Sequence, residues 1–407
     1  MSQQLKRRIG LGLLTAYGIG VMVGAGIYVL VGAVAAEAGV LAPLAFLLAG
    51  LIAAPTALSY AEFSSRLPEA AGEAAYVGQG FNSKFFAIFV GLAVVVAGTI
   101  SAGAVLRGGA GYFSAATGVD AEIAIIGMGA ALVLVAIVGV LESFALVAVF
   151  TLIEVLGLAL VVWAGFSTSA SPDWTAALPL AEMVTTPGLV TGLATGIAFG
   201  AVLAFFAFIG FEDIVNMAEE VRNPTRVLPL AIVISLAVTS VIYALVCWAA
   251  VRTVPLAALA ESQSPLALVW QQSQGGSARF LSAIAVFAAL NGVLAQIVMA
   301  SRVLYGLGGR TTGLAVFRHA HPRFGTPVRA TLLIGLAVLV AAYWLPVAQL
   351  ASATSATLLS VFVLVNLALI LQKRRQPEAP FRISMAVPAL GLVMSLLALA
   401  TAVKGWI

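Results

Sequence analysis

The chain has 407 residues, 62% of them hydrophobic and only 9% charged, with a formal net charge of +4. Soluble domains carry roughly 25% charged residues. Charge this sparse, between apolar runs of about 20 residues or more, excludes a soluble protein and leaves a polytopic helical membrane protein.

In chain order, the apolar runs predict eleven spans, at about 9–33, 40–66, 84–106, 121–140, 143–166, 191–217, 228–253, 278–305, 327–345, 349–372 and 384–404. Loop signals separate them. Residues 68–82 are rich in Gly, Ala and Glu, and 167–187 in Ser, Thr and Pro. Asn223-Pro224 marks a turn, and 373–380 is a charged linker. The first run follows Lys6-Arg7-Arg8, is too long for a signal peptide and lacks a clear cleavage site, so it reads as a retained span. Residues 256–274 have the mix of an amphipathic cap over one mouth, and 314–324 that of a segment resting on the membrane surface.

Orientation follows from the basic residues. With the N-terminus in the cytoplasm, only Arg107, Arg252, Arg279 and Lys404 of the 20 Lys and Arg fall outside. The positive-inside rule therefore places the N-terminus in the cytoplasm and, with an odd number of spans, the C-terminus outside. The basic residues lie in loops between spans, so the net charge does not point to nucleic acid. The single cysteine, Cys247, lies in an apolar run and reads as packing. His319 and His321 sit in a basic loop and read as solvated, and no His, Cys and carboxylate cluster has metal spacing. No nucleophile, base and orienting group share one depth, so no enzyme and no cofactor is expected.

Gly24-Ala25-Gly26 interrupts the first span. Each glycine costs about 1 kcal/mol relative to alanine inside a helix, and a broken backbone in hydrocarbon is tolerated only where protein or a water-filled cavity receives it. The same pattern also serves as a helix-packing notch. A second interruption decides between the two. The sixth span reads Phe205-Phe206-Ala207-Phe208-Ile209-Gly210-Phe211-Glu212-Asp213. The two lie five spans apart, so the interruptions fall in the first helix of two halves that run in opposite directions, the pattern that marks a transporter's binding site.

Four stretches then carry a specific resemblance. They are Gly24 to Tyr28; Ser59-Tyr60-Ala61-Glu62-Phe63-Ser64-Ser65-Arg66-Leu67-Pro68 leading to Gly72-Glu73-Ala74-Ala75-Tyr76; Phe206 to Glu212 with Ala218 to Pro224; and Ala300-Ser301-Arg302-Val303-Leu304-Tyr305. Together they span most of the chain, and as a set they resemble the amino acid–polyamine–organocation (APC) family of transporters, which share the leucine-transporter fold. The resemblance implies an all-α polytopic membrane protein with an inverted 5+5 repeat and broken helices 1 and 6. The whole chain, 1–407, reads as one transporter domain, with repeat one at about 9–166, repeat two at about 191–372 and an extra C-terminal helix at about 384–404. The family usually has twelve spans, so the eleven counted here leave the oligomeric state open.

A helix restarting at Ile27 presents free N–H groups and a partial positive charge at its N-terminus. A substrate carboxylate fits on the backbone of Ala25, Gly26 and Ile27, and the resemblance implies the same. Carbonyls near Val21 to Val23 and around Ala207, Phe208 and Ile209 fit an α-ammonium, glycine at 24 and 26 lets the substrate approach the main chain, and Gly210 joins the substrate-binding candidates. Phe206 aligns with an aromatic that covers the substrate in the family's arginine–agmatine exchangers, and it also reads as a packing phenylalanine. Glu212 aligns with a glutamate near their inner gate, and also reads as a solvated charge in a vestibule.

Glu154 is the only charge inside the fifth span. It lies ~16–17 Å into a ~30 Å core. A fixed charge there is expensive, and a carboxyl that takes up a proton can serve a transport cycle. Some family members carry a lysine at the aligned position, which is the place of a sodium ion in sodium-coupled relatives. Glutamate here carries over the location and not the charge, so proton coupling, a structural hydrogen bond and a cation site all stay open. Ser101 and Asn291 join the candidate cavity lining, with Thr99, Thr354 and Ser355 weaker. Glu62 and Arg66 sit one turn apart at the cytoplasmic end of the second span, on the same side of the membrane as Glu219, Glu220, Arg222 and Arg226, and suggest an inner salt-bridge network or a solvated face.

The resulting expectation is a permease of the cytoplasmic membrane that moves a neutral or apolar amino acid by alternating access, with H+ as coupling ion. Exchange of amino acids or polyamines and sodium-coupled symport are the rival transport readings. A channel or sensor on the same fold is the rival of another class.

Overall fold

The computed structural model describes residues 9–67, 72–139, 144–171, 174, 187–218 and 220–404. Fourteen α-helices carry these residues: α1 Leu11–Ala38, α2 Ala42–Arg66, α3 Gly72–Phe81, α4 Lys84–Thr117, α5 Ala121–Val138, α6 Phe144–Ser167, α7 Pro187–Phe205, α8 Pro224–Thr253, α9 Leu256–Glu261, α10 Pro265–Gln274, α11 Arg279–Gly308, α12 Val328–Trp344, α13 Val347–Arg375 and α14 Ala386–Lys404. Each of the eleven expected spans overlaps one of these helices, though 206–217 of the sixth lies beyond α7 in 3₁₀ segments; others run further than expected, α4 to Thr117 and α1 to Ala38. By length and composition nine helical segments of the described residues can cross a membrane, while Leu11–Gly24 and Val328–Trp344 are shorter apolar helices.

Local chemistry sets several ends. Gly118, in the left-handed region (φ 78°), closes α4 with its N–H on the Ser114 carbonyl. The Asp120 side chain accepts from the Glu122 N–H at 2.8 Å and caps α5. Pro224 opens α8, where a missing N–H costs nothing.

Helix α1 is the centre of the bundle and packs against α6, α7, α8 and α11. Around it, α4 pairs with α11 and α13, and α2 pairs with α8 and α14. Large apolar side chains line the outside, among them Ile123 and Leu134 on α5 and Leu152 and Trp163 on α6. Polar side chains such as Glu62, Ser59, Thr239, Thr354 and Asn366 are buried. This inversion suits hydrocarbon as the solvent.

Two expected loops differ. Residues 72–81, read as loop, form α3, because Glu73, Tyr76, Val77 and Gly80 fall at helical spacing and bury one face. The Tyr76 ring stacks on Phe63 of α2 at 4.9 Å. Residues 256–274 form the pair α9 and α10, but 314–324 do not form an amphipathic helix; the only helical part is a 3₁₀ segment, Thr312–Phe317. His319 and His321 are exposed in the loop that follows.

Candidate functional site

Both interruptions are present. In α1, Gly24 is non-helical (φ −10°, ψ −156°), and the helix resumes at once. The second is longer. After α7 ends, Phe206–Phe208 form a 3₁₀ turn, Ile209 is extended (φ −60°, ψ 131°) and Gly210 has φ 123°, before a second 3₁₀ segment, Glu212–Met217. Only glycine tolerates that φ without strain.

The tertiary packing sets the two interruptions face to face. A Cβ on Gly26 would lie 3.1 Å from Ala207 Cα and 3.4 Å from Ala207 Cβ, with Phe206 Cδ1 at 3.8 Å. A Cβ on Gly210 would meet Val21 C at 3.1 Å and Met22 N at 3.3 Å. Gly24 differs: a Cβ there would meet nothing within 4 Å. Gly26 and Gly210 are therefore contact surfaces between the broken segments, and Gly24 borders open space. Val23, Ile27, Phe206, Ala207 and Phe208 are all buried around this junction, with Ile209 half-buried.

Tyr243 of α8 joins the two breaks. Its hydroxyl lies 2.5 Å from the Met22 carbonyl oxygen and 2.8 Å from that of Ala207. The hydroxyl has one proton for two acceptors. Phe46 and Phe208 pack edge-on against the ring. Sequence reasoning missed this residue; its only signal is a tyrosine deep in an apolar span. Tyr243→Phe leaves both buried carbonyls without this donor. An unsatisfied buried group costs about 1–3 kcal/mol, so the variant is expected to melt earlier than wild type. If the melting temperature and ligand affinity both match wild type, the hydroxyl does not organise the junction.

Glu154 of α6 is buried, and its Oε1 has no hydrogen-bond partner among the described residues. Its main chain is tied to α1: the Tyr28 hydroxyl donates to the Glu154 carbonyl at 3.0 Å. The Tyr112 hydroxyl donates in turn to the Tyr28 carbonyl at 2.7 Å and accepts from the Leu266 N–H at 3.1 Å. This chain runs from α6 through α1 and α4 to α10. Glu212 is buried, and its Oε2 accepts from the Gly210 N–H at 2.9 Å, so this carboxylate holds the turn that follows the second break.

The outlying candidates sit elsewhere. Ser101 is buried and accepts from Gln296 Nε2 at 3.1 Å, joining α4 to α11. Asn291 is half-buried on α11, and neither residue hydrogen-bonds to the broken segments among the described residues. Thr99 and Thr354 donate to carbonyls of their own helices, Val95 and Leu350. Ser355 is buried with no hydroxyl partner among the described residues.

At the end of the bundle where α2 and α13 finish, the expected Glu62–Arg66 pair forms and has a third member. Arg66 Nε and Nη2 donate to Glu62 Oε1 at 3.0 and 2.5 Å. Lys373 Nζ lies 2.9 and 2.6 Å from the two Glu62 oxygens and also donates to the Ile383 carbonyl. The Ile383 N–H completes the shell at 3.0 Å from Glu62 Oε2. Among the described residues, Glu220, Arg222 and Arg226 join no ion pair, and Glu219 lies outside those residues. That segment is tied by main chain instead: Ile9 donates to the Glu220 carbonyl at 3.0 Å and accepts from the Arg222 N–H at 2.9 Å. On α3, burial pushes the Glu73 carboxyl up to about 7, and the nearby Asp213 charge adds to the shift.

Comparison with known proteins identifies a family and several relatives. A family described as amino acid permease matches residues 9–404. The chain is 30% identical over 358 residues to the cationic amino acid transporter 2, vacuolar, of Arabidopsis thaliana, covering 82% of this chain and 54% of that protein. It is 28% identical to the methylthioribose transporter of Bacillus subtilis (86% of this chain, 77% of that one). It is 27% identical to the branched-chain amino acid permease BcaP of the same bacterium (93% and 83%). The chain thus spans about half the length of the plant transporter and most of the two bacterial ones.

Proposed function

Because the chain belongs to the amino acid permease family across residues 9–404, we propose that it is a secondary active transporter, which carries an amino acid across the cytoplasmic membrane by alternating access. The observation that carries this reading is the convergence of the two breaks, with Gly26 against Ala207 and open space beside Gly24. The substrate carboxylate docks on the amides of Ala25, Gly26 and Ile27, at the positive end of the restarted helix. The ammonium is received by carbonyls of 21–23 and 207–209. Tyr243 already engages one carbonyl of each group, and each carbonyl oxygen keeps a second lone pair.

The relatives' names cover cationic amino acids, branched-chain amino acids and methylthioribose. The apolar side chains Phe206 and Phe208 at the break favour a neutral or apolar amino acid here. The coupling ion in this reading is a proton, taken up by Glu154, whose unpartnered Oε1 sits on the helix bonded to α1. Helices α1 to α6 and α7 to α13 act as inverted halves, the basic helix ends face the cytoplasm and the C-terminus lies outside.

The reading is tested in proteoliposomes. An inward proton gradient is expected to drive accumulation of a neutral amino acid, and the same amino acid is expected to raise the melting temperature of the purified protein. Uptake that needs preloaded substrate selects exchange, and uptake that follows sodium selects sodium symport. Glu154→Gln is expected to flatten the pH dependence of uptake. An unchanged profile removes Glu154 as the proton site.

A further inference from the structure

At the junction of α13 and α14 the chain leaves the bundle through residues 376–385 and re-enters it. A cavity of about 380 Å³ opens there, lined by Lys373, Pro377, Arg382, Ile383, Ser384 and Met385. That volume falls in the ~300–1,000 Å³ range of ligand pockets. We propose that this junction binds the phosphate headgroup of an anionic membrane lipid.

The charge around the cavity is unbalanced. Arg66 and Lys373 are both engaged by the single buried carboxylate of Glu62. Beyond that cluster, Arg374, Arg375 and Arg382 are exposed, and the exposed carboxylate of this linker is Glu378. Arg375 has one partner, the Gly80 carbonyl, at 3.1 Å. Arg374 and Arg382 have no hydrogen-bond or ion-pair partner among the described residues. The clamp fixes the floor of the cavity, since Lys373 bonds to the Ile383 carbonyl and Glu62 to the Ile383 N–H. Of the free cations, Arg382 lines the cavity over this fixed base, and Arg374 follows the lining residue Lys373 in sequence.

The position also suits a lipid rather than a free anion. Met385, at the cavity lip, is 40% exposed, and Leu390, Val393 and Leu397 of α14 are 52%, 51% and 64% exposed. The last three fall at i, i+3 and i+7 on one face of the helix. A headgroup held at the cavity can lay its acyl chain along that stripe. Basic pockets between helices at the membrane surface are the known physical setting for anionic headgroups.

The test uses the full chain, purified in a neutral detergent and titrated with short-chain phosphatidylglycerol, short-chain phosphatidylcholine or inorganic phosphate, with melting temperature as readout. Phosphatidylglycerol alone is expected to raise it. In Arg374→Gln/Arg382→Gln, whose side chains lie outside the Glu62 cluster, the apparent affinity for phosphatidylglycerol is expected to fall about 25-fold, the combined effect of two basic side chains at a membrane surface. The starting melting temperature is expected to stay put. An equal rise with phosphatidylcholine overturns the proposal, because it shows apolar binding only. An equal rise with phosphate overturns it in favour of a free-anion site, and an unchanged affinity in the double variant overturns the location.

Discussion

Gly26→Val is expected to abolish substrate binding while the protein still inserts and folds. Even a single Cβ at this position lies 3.1 Å from the Ala207 Cα, a backbone atom that cannot swing aside. The two further methyl groups of valine force the first broken segment away from the second. Overpacking of this kind costs about 1–3 kcal/mol of stability, which a folded protein of this size survives. Its effect on a site built from main-chain groups is larger, because a displacement of about 1 Å is worth about 100-fold in a positioned interaction. Isothermal titration with the best ligand from a melting screen measures the loss, and circular dichroism with gel filtration checks the fold. Unchanged binding would remove the main-chain docking of the carboxylate. Gly24→Ala is the informative companion, because its Cβ meets no protein atom within 4 Å. It is expected to fold as wild type and to weaken binding only by intruding on the open space.

Lys373→Met is expected to give the largest loss of stability. The Lys373 and Glu62 side chains are 4% and 0% exposed, and the pair joins residues 311 apart in sequence. Removing one partner of a buried pair costs about 3–5 kcal/mol, since the other charge is left behind. Arg66 remains on Glu62, which puts the expected loss near the lower figure and lowers the melting temperature by roughly 3–4 °C, at ~2.1 cal/mol/K of unfolding entropy per residue. Replacing both partners in Glu62→Leu/Lys373→Met is expected to recover part of it, because an apolar pair leaves no uncompensated charge. A single variant that melts with wild type shows that the clamp does not hold the ends of α2 and α13 together.

Several features were legible because they are local. Apolar runs longer than a bilayer is thick located every long helix, and the glycines at 24 and 26 and the Phe206–Glu212 stretch marked both interruptions. The length of each interruption was not legible. A continuous α1 with one non-helical residue at Gly24 and a drawn-out second break arise from different packing around similar glycines. Helix α3 was missed because Gly and Ala dilute its apolar face. Its burial rests on Tyr76, whose partner Phe63 belongs to another helix. Glu212 was read as a gate or vestibule charge, and the fold also gives it a main-chain partner two residues away.

The sequence by itself determined that this chain lives in a bilayer, where its helices lie and where two of them break, since each depends on composition or on a few neighbouring residues. Only the tertiary structure decided what meets at the breaks and at the helix ends. That Gly26 abuts Ala207, that Tyr243 bonds Met22 and Ala207 at once, and that Lys373 rather than Arg222 or Arg226 completes the Glu62 cluster depend on the rotation and depth of each helix. The physical reason is that a span's hydrophobicity commits it to the membrane but hardly distinguishes one face from another. In lipid the choice of face falls to close packing and to the pairing of buried polar groups, and both are properties of two helices together.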